Sequence, residues 1–170
     1  MLVDRDRQVP AELVERLCEL AVWAPNHKKT WPWRFASLTG DARLRLGAAF
    51  VADMVEREFG DDVKRSKTLT KYARTPNVVV VGCAPHDKPS LHAENRDAVA
   101  AGIQNLLLGA TAAGVASFWS TAPLIDSARA LALCGFEPTD TIIGLIYLGW
   151  PTGTVDVPQR PPVVVRKIAT

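Results

Sequence analysis

WAPNHKKTWPWRF, residues 23–35, decides how the rest of the chain is read. Three tryptophans, a histidine, two lysines and an arginine share these thirteen positions. Pro25 and Pro32 interrupt any helix and stiffen the segment. Aromatic planes beside positive charge on a stiff loop suit a flat, anionic ligand. A plain structural role is open as well. In that reading Trp33 and Phe35 are core residues of a strand, Lys28 and Lys29 are solvated, and His27 caps a turn.

Outward from this loop the pattern alternates between helix and strand. Upstream, Pro10 suits a first helical turn, and Leu13, Leu17, Leu20, Ala21 and Ala24 follow helical spacing until Pro25 ends the run. Downstream, Trp33 to Thr39 alternates as a strand, with Trp33, Phe35 and Ser37 on one side. Asp41 can cap a second helix whose stripe is Leu44, Ala48, Val51 and Val55. Residues 61–74 carry Lys64, Arg65, Lys67, Lys71 and Arg74 and read as a surface helix or a cover. Val78–Val81 is a β-branched run suited to a strand buried on both faces.

Ser90 can cap a long helix reaching Ala113, with Gly114 as its stop. Its second half is rich in small residues (Ala98, Ala101, Gly102, Gly109, Ala110) and apolar nearly all round. Such a helix needs cover on every side, which a second subunit supplies most simply. Val115–Thr121 reads as a strand, Pro123–Leu133 as a short helix closed by Gly135, and Thr141–Gly149 as another buried strand. From Trp150 the chain holds five prolines or glycines and then VVVRKI. Residues 150–170 are therefore expected to form an extended arm able to pair with a neighbour's sheet edge.

Composition fits one domain over residues 1–170, with an apolar share of 48 % and a charged share of 22 %. A net charge of +2 without a Lys/Arg run argues against nucleic acid as a partner. Ala98 to Ile125 contains no charged residue, but Gln104, Asn105, Gly114 and Pro123 interrupt it. It reads as a buried helix and strand rather than a membrane span. The N-terminus is too charged for a signal peptide, and Cys18, Cys83 and Cys134 all sit in apolar segments. A reducing, cytoplasmic location is the expectation. No hydrolase motif is present. Cys83, His86, Asp87 and His92 match no metal-site spacing, so no metal is expected. GATAAG, residues 109–114, lies at a helix end rather than after a strand, so it reads as packing and capping. Ser117–Thr121 places hydroxyls and an indole at a strand end, where a ligand's polar atoms can be held.

In order along the chain, Ala24–Lys28, Pro32–Phe35, Gln104–Leu108, Gly114–Trp119 and Ile146–Gly149 resemble the small nitroreductase-like FMN oxidoreductases. The resemblance covers residues 10–150 and implies an α+β fold. It implies a central, mostly antiparallel sheet flanked by helices, and a homodimer that exchanges its C-terminal arms around FMN at the interface. It further implies that His27 contacts the flavin and that Trp31 lies beside it, where Gln or Glu is usual. Trp119, Ser120 and Thr121 would touch the cofactor from the other subunit, and Arg160 or Arg166 would reach its phosphate. NADH or NADPH is the implied electron donor and a nitroaromatic or quinone the implied acceptor. No side chain is assigned as obligatory acid or base, while Lys29 or Arg34 could stabilise negative charge on reduced flavin.

The family's upstream Arg-Arg-Ser-like motif has no counterpart, since nine residues precede Pro10. Those arginines hold the phosphate through bidentate bonds. The expectation is either a start further upstream or weakened FMN binding. The alternative function is a dimeric small-molecule binder of the same fold that has lost FMN.

Overall fold

A computed structural model describes residues 1–168. The last two residues of the expected arm lie outside the described residues. The elements are α1 (Ala11–Ala21), β1 (Trp33–Leu38), α2 (Ala42–Glu56), α3 (Asp62–Thr70), β2 (Asn77–Cys83), α4 (Pro89–Ala112), β3 (Ala116–Ser120), α5 (Ala128–Cys134) and β4 (Thr141–Gly149). The strands form one antiparallel sheet in the order β1-β2-β4-β3. The fold is α+β, as expected.

Period-2 alternation in β2 sends its side chains to two cores. Val79 and Val81 meet α1 and α4 on one face, packing with Leu17, Ile103 and Leu106. Val78 and Val80 meet α2 and α5 on the other, packing with Phe50, Tyr72 and Leu131. The whole of β2 is buried, as its β-branched run requires. A bulge shifts register between Val81 and Gly82, so Val81 pairs with Gly144 and Gly82 with Ile142. The extra residue, Ile143, lets Ile142 and Leu145 face the same core.

Several elements differ from the sequence reading. In α1 the buried stripe is Val14, Leu17 and Ala21, and Leu20 is exposed. In α2 the apolar stripe Leu44, Ala48 and Val55 faces outward with Val51 half-buried, and Leu46, Gly47, Phe50, Asp53 and Met54 face the core. Both stripes fit helical spacing; the face carrying Phe50 and Met54 buries more area and is the one that packs. Asp41 precedes α2 without making a side-chain cap bond. Pro89, not Ser90, opens α4, and Leu108 leaves its outer face exposed. The short helix begins only at Ala128, where the Ser127 hydroxyl accepts from Ala130 N. Residues 61–74 are indeed helical over Asp62–Thr70, with Thr68 and Tyr72 buried.

Beyond Trp150, Pro151 bridges Val3, but among the described residues the tail forms no strand, and residues 155–168 are exposed throughout. Among the described residues, no helix is long and apolar enough to cross a membrane.

Candidate functional site

The loop before β1 is built around Asn26. Its Oδ1 accepts from Trp31 N at 2.9 Å and its Nδ2 donates to Thr30 Oγ1 at 3.0 Å. Thr30 Oγ1 donates in turn to Asn95 Oδ1 at 2.5 Å, and Asn95, buried in α4, donates to Ala84 O. This chain of polar contacts fastens the loop to α4 and to the end of β2. It holds Lys28, Lys29 and Trp31 at φ values of 63°, 52° and 50°. Side chains other than glycine enter this left-handed region at a cost of about 1–3 kcal/mol each. The result is a displayed indole, since Trp31 is 60 % exposed while neighbouring Trp33 is core. His27 stands in the same turn with Nδ1 2.6 Å from Glu94 Oε2. Arg34 binds the buried Asp140 at 3.5 Å and donates to Trp33 O. It is therefore engaged, and Lys29 remains the exposed cation of the pair singled out from the sequence.

Ser120 and Thr121 lie at the far edge of the sheet, on and after β3. Trp119 turns its indole toward the α4 side of the sheet. A Cβ on Gly144 would collide with that indole, so the bulge glycine makes its space. The buried Nε1 of Trp119 has no hydrogen-bond partner. Ser120 and Thr121 instead line an open cavity of about 650 Å³ together with Lys64, Lys67, Lys71 and Arg74. Burial, and then the charges of Lys64 and Arg74, hold the Lys71 ammonium below its ordinary pKa. From the sequence these cations read as a surface helix or a cover; their convergence on the β3 end is a tertiary fact.

One chain thus separates the expected site residues into two groups. His27 and Trp31 precede β1 at one edge, and Ser120 ends β3 with Thr121 just after it at the other, with β2 and β4 between. Arg160 and Arg166 lie on the exposed tail and make no hydrogen bond or ion pair among the described residues.

The cysteines offer no nucleophile. Burial pushes the thiols of Cys18 and Cys134 up to about 12 and that of Cys83 up to about 11. His86 and His92 serve turn contacts: His92 Nδ1 accepts from His86 N, and His86 Nδ1 accepts from Lys88 N.

Comparison with known proteins follows the same lines. The family model described as "Nitroreductase family" matches residues 3–150. The Escherichia coli K12 protein named "Putative NAD(P)H nitroreductase YdjA" is 26 % identical over 159 residues, spanning 90 % of this chain and 86 % of its own. A nitroreductase-like family protein from Bacillus cereus superposes with a TM-score of 0.78 at 27 % identity, over 92 % of this chain and 83 % of that one. A Bacteroides fragilis nitroreductase with bound FMN superposes with a TM-score of 0.73 at 20 % identity, over 99 % and 92 %.

Proposed function

Since the chain belongs to the nitroreductase family, we propose that it is an FMN-dependent oxidoreductase carrying hydride from NAD(P)H to a nitroaromatic or quinone-like acceptor. The site is shared by two copies of the chain. FMN is suggested by the Bacteroides fragilis neighbour and NAD(P)H by the name of the Escherichia coli relative. The observation that carries the reading is the separation of the two residue groups. An indole-and-histidine loop on one sheet edge and a hydroxyl-lined basic cavity on the other make one pocket only when a second chain brings unlike edges together.

The residues present fit a flavin mononucleotide. Trp31 offers an exposed aromatic plane held by a strained backbone, suited to a flat ring system. Its bulk, where Gln or Glu is usual, narrows the pocket. His27, oriented by Glu94, supplies a ring nitrogen for a carbonyl edge. Ser120 and Thr121 offer hydroxyls, and the cations beside them offer charge complementary to a phosphate and to an electron-rich ring. When bound, FMN supplies the hydride chemistry, while the protein supplies position and electrostatics. This chain's side chains therefore bind, orient and screen from water, and none is assigned as an obligatory acid or base.

The test is the visible spectrum of the purified protein, followed by NAD(P)H oxidation with a nitroaromatic acceptor. A yellow protein that turns over supports the reading. A colourless protein that added FMN cannot load overturns it and favours a binder that has lost the cofactor.

A further inference from the structure

We propose that the cavity at the β3 end is a binding site for a phosphate monoester, held by Lys64, Lys67, Lys71 and Arg74. Four cations line it against one carboxylate, Asp61, whose oxygen accepts from Lys64 N. Among the described residues, none of the four forms an ion pair, although Asp62, Asp53, Glu56 and Asp126 pair with other arginines close by in sequence or space. Lys64 and Lys71 rest over the rings of Phe59 and Tyr72 instead. The whole chain carries a net charge of only +2, so this is a local concentration rather than a general surplus.

Like charges gathered without counter-charge are costly, and at Lys71 the charges of Lys64 and Arg74 add to burial, the larger effect, in holding its pKa below the ordinary value. A dianion relieves that cost. A smaller cavity of about 290 Å³ shares Lys71, Arg74 and Ser120 and adds Arg5, so the basic floor continues toward the N-terminal segment. Among the described residues Ser120 Oγ bonds only to Thr121 O, at 3.4 Å, and its hydroxyl can turn to donate to a phosphate oxygen.

The inference deepens the proposed function and rests on it in one respect: FMN and NADPH each carry a phosphate monoester, whereas riboflavin and NADH do not. Flavin and nicotinamide fluorescence titrations separate the sources. Wild type is compared with Lys67→Gln/Arg74→Gln, whose two side chains are exposed, and with Lys71→Gln; melting curves check folding. Each lost cation is expected to weaken the monoester about tenfold. Weakened FMN with unchanged riboflavin assigns the flavin phosphate. Weakened NADPH with unchanged NADH assigns the ribose phosphate. Unchanged FMN and NADPH binding in every variant overturns the proposal. Inorganic phosphate provides an arm independent of flavin chemistry: it should raise the melting temperature of wild type more than that of the double variant. Should wild type take up no flavin, the enzymatic reading falls but this arm still decides, an equal shift in both proteins counting against the cavity.

Discussion

At the scale of single residues, Asn26 and Asp53 each hold other parts of the chain in place through several hydrogen bonds. Asn26 satisfies both ends of a loop that would otherwise relax from its left-handed backbone. Asn26→Ala is expected to cost about 1–2 kcal/mol in stability. It should cost more in FMN affinity, tenfold or greater, because Trp31 loses its fixed orientation; melts and flavin titration measure the two. Asp53 is buried in α2 and accepts from Ser127 Oγ at 2.5 Å, from Arg129 N at 3.2 Å and from the Arg129 guanidinium. Burial alone would raise its pKa, but those hydrogen bonds outweigh burial and hold it below the usual carboxylate range. Its contribution is therefore complete above the unfolded aspartate value of about 3.9 and disappears as pH falls through the lower folded value. Asp53→Asn should lower stability by about 2 kcal/mol near neutrality. The gap to wild type should close on acidification below about pH 4, read by urea melts at each pH. The loop was legible in the sequence because its prolines, indoles and charges are contiguous. Asp53 was not, because Ser127 and Arg129 approach it only through the tertiary contact of α2 with α5.

At the scale of elements, sequence periodicity located every strand and the long helix, with ends displaced by a few residues. It chose the wrong face of α2, because Leu44, Ala48, Val51 and Val55 satisfy helical spacing as well as the buried set. Only the neighbours decide between two apolar stripes, and here Gly47 admits the backbone of α3 at Leu69. Gly47 and Gly109 look alike in sequence but differ in what they meet. A Cβ at Gly47 would strike the Leu69 carbonyl, which cannot move without the helix. At Gly109 it would come within 2.5 Å of Leu20 Cδ1, the free end of an exposed side chain, and 3.1 Å from Leu17 Cδ2, a side-chain methyl that needs to give only slightly. Alanine gains about 1 kcal/mol over glycine inside a helix. Gly109→Ala should thus be neutral or stabilising, while Gly47→Ala should cost about 1–3 kcal/mol through overpacking, compared by thermal and urea melts.

At the scale of the whole molecule, the residues of the proposed site lie at opposite edges of the sheet, and residues 155–168 of the tail are exposed. Val163, Val164, Val165 and Ile168 are all more than 70 % exposed. Apolar residues of this kind in an extended segment suit pairing with another chain's sheet edge. Removal of residues 155–170 is expected to shift sedimentation from dimer toward monomer and to reduce flavin retention in parallel. The exposed tail and the small-residue face of α4 were readable from composition; the strand order that puts the two residue groups on opposite edges was not, since it is set by pairing across long stretches of chain. The most direct test of a site shared between two chains is subunit complementation, with bound FMN measured after co-refolding. His27→Ala/Trp31→Ala damages one half and Thr121→Trp the other. Each variant alone should bind little FMN, whereas an equal mixture should recover about one quarter of the wild-type sites, as random pairing in a two-fold dimer requires. A mixture that binds no more FMN than the separate variants would contradict the account.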